Sequence, residues 1–98
     1  MNATEIRTLI QKNRDALRKF GVIELGLFGS HARGEAGDDS DIDFLVVFER
    51  GKKTFDNFMD LHEYLEGMYH KKVDLVTPES VSKYIRPYVE KEAVYEKI

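Results

Sequence analysis

The chain has 98 residues, 42 % hydrophobic and 34 % charged, with two prolines, which suits one folded domain around one modest core and excludes a disordered chain. Fifteen basic against eighteen acidic side chains leave a net charge of −3, so nothing draws the whole molecule to nucleic acid or anionic lipid, and no direct nucleic-acid contact is expected. Absence of cysteine removes disulfides, thiolate zinc sites and thiol nucleophiles, the longest apolar run (Phe44 to Phe48) is far below the about 20 residues of a membrane span, and MNATEIRTLIQKN lacks a signal-peptide core, so a cytoplasmic protein with no membrane partner is expected.

From Thr4 to Phe20 the apolar residues Ile6, Leu9, Ile10, Ala16, Leu17 and Phe20 recur at helical spacing, with Asn13 the one polar residue on that face. Asn2 is the expected cap, Glu5 its partner three residues on, and Gly21 the stop. Val22 to Phe28 is too short for a helix and reads as a strand, followed by a glycine-rich stretch from Gly29 to Gly37. A second strand runs from about Ile42 to Phe48. After a turn at Gly51, the apolar spacing from Phe55 to Tyr69 predicts a helix over roughly 54–70, with His70, Lys71 and Lys72 at its negative end. Val73 to Val76 is a short third strand. The remainder reads as helical, broken near Pro87, with Ala93 to Ile98 either helix or edge strand. The fold class is α+β, or α/β with a small mixed sheet flanked by helices, in a single domain over 1–98.

Asp41 and Asp43 open the second strand, where their side chains project from one face about 7 Å apart. Such like charges repel unless a cation sits between them. Asp74 interrupts the apolar third strand. A helix of crossover length joins strands two and three, which makes them parallel and brings Asp74 to the same sheet edge as Asp41 and Asp43. Gly29 and Ser30 follow the first strand, whereas the acids precede the second, so these features face each other only if strands one and two are antiparallel. The backbone N–H groups after Gly29 and the Ser30 hydroxyl suit phosphate oxygens, and the acids are hard ligands, which together is the chemistry of a magnesium nucleoside triphosphate. The glycines match neither a P-loop nor a dinucleotide fingerprint. Ser30 and His31 are neighbours without a nucleophile elbow, which argues against a Ser-His-Asp hydrolase.

Gly29-Ser30, ten residues, then Asp41-x-Asp43, with Asp74 in a later short strand, resembles the nucleotidyltransferase superfamily that includes DNA polymerase β. From GLFGSHARGEAGDDSDIDFLVVF through KKVDLVTPE the chain is most similar to the minimal nucleotidyltransferases, the MntA-like antitoxins of HEPN toxin pairs. The resemblance implies that Gly29 and Ser30 hold the triphosphate, that Asp41 and Asp43 bind two Mg²⁺ ions, and that Asp74 completes the metal and catalytic site. It implies transfer of AMP from ATP, or a nucleotide from another triphosphate, to a tyrosine hydroxyl of a HEPN-domain partner with release of pyrophosphate. The chain stops where larger relatives carry a substrate-binding domain, so a partner is expected to supply the acceptor, in a homo- or hetero-oligomer that the sequence leaves open. The alternative is a non-catalytic nucleotide-binding antitoxin that neutralises its partner by masking it. Arg33 is expected to brace its loop through backbone carbonyls. His31, His62 and His70 are expected on the surface or in packing, and the tyrosines in core or interface.

Overall fold

The computed structural model describes residues 1–98. In chain order it contains α1 (Ala3–Lys12), α2 (Arg14–Arg18), β1 (Val22–Phe28), α3 (Gly29–Arg33), β2 (Ile42–Phe48), α4 (Phe55–Tyr69), β3 (Val73–Val76), a 3₁₀ turn (Pro78–Ser80), α5 (Arg86–Glu92) and β4 (Val94–Lys97). The four strands form one mixed sheet in the order β3-β2-β1-β4. β1 runs antiparallel to β2 and β4, and β2 runs parallel to β3. The antiparallel and parallel pairings expected from the motif positions are therefore both present, and the class is α+β with a mixed sheet. No helix is long and apolar enough to cross a membrane.

Strand alternation gives the sheet two chemically different faces. Leu25 and Leu27 of β1, Ile42, Phe44 and Val46 of β2, and Val73 and Leu75 of β3 share one face and are buried with Ile6, Ile10, Leu17, Leu61 and Leu65 of the helices. This is the core, and removing that much apolar surface from water is the main stabilising term. The opposite face carries Phe28, Asp43 and Asp74, one from each of three adjacent strands.

The first helix differs from expectation. The capping box is present: Asn2 Oδ1 accepts the Glu5 N–H at 2.8 Å, and Glu5 Oε1 accepts the Asn2 N–H at 3.3 Å. The helix is not continuous to Phe20, however, but breaks at Asn13, whose backbone sits at φ −112°, ψ 18°. The Asn13 amide donates to Leu9 O at 2.8 Å, while its Oδ1 accepts the Tyr64 hydroxyl of α4 at 2.9 Å. A side chain engaged this way competes with the regular helical ladder.

The C-terminal segment is corrected in the same way. Pro87 does not break a helix; it lies in the first turn of α5, where a missing N–H costs nothing. Residues 94–97 resolve to an edge strand, β4. Its Glu96 lies opposite Leu25 on the core face, nearly buried, and is held by an ion pair to Arg7 and by Gln11 Nε2 at 3.1 Å.

α4 is fastened to β3 at both backbone groups of one residue: His62 Nε2 donates to Val73 O at 2.8 Å and Glu66 Oε2 accepts the Val73 N–H at 2.9 Å. Thr54 caps the helix start, and His70 ends it in the left-handed region at φ 54°. That conformation is strained for any side chain with a Cβ. Replacing the exposed His70 by glycine is expected to stabilise the fold by about 0.5–1 kcal/mol. Thermal unfolding of His70→Gly beside the parent protein checks this, and an unchanged or lower midpoint would contradict it.

Candidate active site

The site grows out of one row of the sheet. Phe28 pairs with Asp43, and Asp43 pairs with Asp74, so the two aspartates stand side by side on parallel strands with side chains on the same face. Asp41 precedes β2 and is exposed, as is Asp74, whereas Asp43 is half-buried. Burial, foremost, together with the charges of Asp74 and Asp41 and a hydrogen bond shared with Asp74, pushes the Asp43 carboxyl up from 3.8 to about 6, with Arg33 pulling the other way. The reason Asp74 is tolerated also becomes clear. β3 is an edge strand, not one buried on both faces, so an acid there costs little. Its register with Asp43 is what distinguishes it from an ordinary surface acid.

Gly29 follows Phe28 directly and has φ +76°, a conformation glycine adopts without strain. A Cβ on Gly29 would lie 2.1 Å from Asp43 Oδ2, so the absence of a side chain is what lets the carboxylate lie against the turn. Ser30 comes next, half-buried, in the short helix α3. The loop leading to Asp41 is pinned by Lys71 Nζ donating to Asp38 O at 2.8 Å and by Ser40 Oγ accepting the Gly37 N–H at 3.0 Å. Of the sequence-predicted residues, Gly29, Asp41, Asp43 and Asp74 converge: Gly29 lies against Asp43, Asp43 shares a hydrogen bond with Asp74, and Asp41 is near enough to raise Asp43, whereas Ser30 is placed only by following Gly29 in the chain.

Two residues depart from expectation. Arg33 braces its loop through carboxylates, not carbonyls: Nη1 lies 2.7 Å from Glu92 Oε1 and Nε 3.3 Å from Glu35 Oε2. Glu92, at the last turn of α5, was not singled out from the sequence, yet its Oε2 accepts the Gly29 N–H at 3.1 Å. The Arg33 hydrogen bond, chiefly, and the Gly29 N–H hold the Glu92 carboxyl below the usual carboxylate range against the opposing effect of its partial burial. Only a partner 63 residues away in the chain reveals the role. Of the histidines, His31 is buried and His62 is used in packing against β3, as expected for non-ligands.

The donor set suits a hard divalent cation without caging one. No group of three His, Cys, Asp or Glu side chains is close enough to enclose a metal by itself. Magnesium is commonly held by one or two carboxylates, with substrate phosphates and water completing the shell, and the adjacent Asp43 and Asp74 with mutual repulsion fit that role.

Comparison with known proteins agrees with the geometry. Residues 9–98 match the family model for the nucleotidyltransferase domain. The chain is 44 % identical over 92 residues to the protein adenylyltransferase MntA of Thermococcus cleftensis, covering 93 % of this chain and 92 % of that protein. It is 38 % identical over 95 residues to a Methanocaldococcus jannaschii protein also named as a protein adenylyltransferase, covering 94 % and 95 %. A solved structure described as a minimal nucleotidyltransferase superposes with a TM-score of 0.82 at 34 % identity, covering 96 % of this chain and 95 % of that one. The same fold, at 22 % identity and TM-score 0.62, occurs in the Shewanella oneidensis MNT antitoxin bound to its AMPylated HEPN toxin, covering 91 % of this chain and 70 % of that one. With a family match over most of its length, relatives at 44 % and 38 % identity and the same fold in a solved minimal nucleotidyltransferase, this chain belongs to the nucleotidyltransferase domain family, among the minimal nucleotidyltransferases of the MntA kind.

Proposed function

We propose that this protein is a Mg²⁺-dependent adenylyltransferase antitoxin that moves AMP from ATP to a tyrosine hydroxyl of a HEPN-domain toxin. The observation that carries the reading is the row Phe28, Asp43, Asp74 with Gly29 packed against the Asp43 carboxylate. Sequence identity to a protein adenylyltransferase supports the transferred group, and the shared fold of an antitoxin seated on an AMPylated HEPN toxin supports the partner.

In this reading the tyrosine oxygen attacks the α-phosphorus in line, the bond to the bridging oxygen of the β-phosphate breaks, and pyrophosphate leaves. Gly29 and Ser30 hold the triphosphate so that this bond points away from the acceptor. Asp41, Asp43 and Asp74 would offer carboxylate oxygens to Mg²⁺, with substrate phosphates and water completing its shell, and the ion when bound would neutralise charge on the reacting phosphates. Asp74, exposed at the sheet edge, is the carboxylate a protein acceptor can reach, and it takes the hydroxyl proton. Ordering the acceptor and the α-phosphate against one rigid strand is worth more than any single contact.

The test is a mixture of this protein, its HEPN partner, Mg²⁺ and ATP labelled at the α-phosphate. Label is expected on a partner tyrosine and is expected to disappear with Asp74→Asn. A partner silenced with no label on it would mean that the protein acts by masking.

A further inference from the structure

Glu92 has no part in the proposed transfer, yet it occupies the Gly29 N–H, one of the donors assigned to the triphosphate, and pairs with the nearby Arg33. Its Oε2 accepts the Gly29 N–H at 3.1 Å and its Oε1 lies 2.7 Å from Arg33 Nη1. Gly29 is also the residue against which Asp43 packs, and Arg33 is close enough to lower the Asp43 proton affinity. The carboxylate therefore presents two oxygens to a backbone N–H and a guanidinium, the same pairing of donors that binds a phosphate edge. It comes from α5, an element of seven residues that touches the rest of the site through little else than this contact and β1.

We propose that Glu92 is an internal competitor of the triphosphate, displaced from Gly29 and Arg33 when a nucleoside triphosphate binds. The inference rests on the nucleotide-binding reading above. The single Gly29 N–H cannot donate in line to two anions, and a phosphate held there would lie against the Glu92 carboxylate, where like charges repel even when water screens them. Arg33, which already pairs with Glu35 as well as Glu92, can then offer Nη1 to the phosphate. The exchange sets nucleotide affinity: each triphosphate that binds must first release a charge-assisted pair. It also couples the site to α5, since Glu92 is a tether of that helix and Tyr84, Ile85 and Tyr88 on the same segment are exposed. Nucleotide binding thereby loosens the segment that carries these apolar side chains.

The experiment measures the dissociation constant of Mg²⁺ with a non-transferable ATP analogue, for the parent protein and for Glu92→Gln. The amide keeps the size and one acceptor but removes the charge, and binding is expected to tighten about three- to tenfold. Inorganic tripolyphosphate is expected to gain by the same factor, because the competition is for phosphate donors and not for the base. A structural brace moves the other way: weaker binding, or no change, overturns the proposal. Hydrogen exchange on the parent protein gives a reading independent of any variant's folding. Saturation with the analogue is expected to speed exchange over residues 86–92, and slower or unchanged exchange there also overturns it. If neither protein binds nucleotide at all, the nucleotide reading itself has failed; if the parent binds and Glu92→Gln gains nothing, only the competitor has.

Discussion

Asp43→Asn is expected to abolish adenylyl transfer, by at least about 10³-fold, and at the same time to make the protein more stable above pH 6. Both effects come from the same cause. Burial and the neighbouring acids raise the Asp43 carboxyl to about 6 in the folded protein from an ordinary 3.8. Between those values the folded chain keeps a proton that the unfolded chain has already released, so stability falls as pH rises through that window. Above pH 6 both states are ionised and the whole penalty is present; below about pH 4 both are protonated and it vanishes. The asparagine variant escapes the penalty, by on the order of 1 kcal/mol once solvent screening of a half-buried group is allowed for. Thermal melts at pH 8 and pH 4.5 check the sign: the variant is expected to lead at pH 8 and to lose most of that lead at pH 4.5. Adding Mg²⁺ is expected to narrow the gap at pH 8 by stabilising only the parent. A variant that is less stable than the parent at pH 8 would contradict the account.

That prediction rests on residues that were legible in the sequence, and it is instructive which were. Asp41, Asp43, Gly29 and Ser30 are close in the chain, and strand direction alone lets them face each other only across an antiparallel β1–β2 pair. Asp74 was legible because the crossover length of α4 forces a parallel neighbour, although its strand turned out to lie at an edge. What could not be read were contacts whose partners are remote. Asn13 looked like a lone polar residue on a helical face, and only Tyr64, 51 residues later, turns it into a break. Glu92 is one acid among many near the C-terminus, and only the Gly29 N–H gives it meaning. β4 has four residues, too few for either period to declare itself, and is a strand because β1 offers an open edge. Local pattern predicts elements; a hydrogen bond across the sheet decides where they end.

Gly29 provides the sharpest separation of chemistry from folding, because Gly34 supplies a matched control five residues on. Both have positive φ, +76° and +73°, so alanine at either position brings the left-handed penalty, about 1 kcal/mol. Around Gly34 there is nothing within 4 Å of an added Cβ, whereas at Gly29 the new carbon would meet Asp43 Oδ2 at 2.1 Å. The carboxylate can rotate away, but Asp43 Cγ at 2.9 Å and Cβ at 3.2 Å also crowd the new carbon, so the collision is relieved by moving the very group the site depends on together with a small shift of its strand. Gly29→Ala is therefore expected to lose somewhat more stability than Gly34→Ala and far more function. Gly34→Ala should retain most transfer activity, and Gly29→Ala should lose at least about 10²-fold, the usual consequence of shifting a positioned group by about 1 Å. Chemical denaturation of both variants beside label transfer to the partner makes the comparison. If Gly29→Ala transfers AMP as well as Gly34→Ala, the contact between the turn and Asp43 is packing alone, and the catalytic role must be sought in Ser30 and the remaining acids.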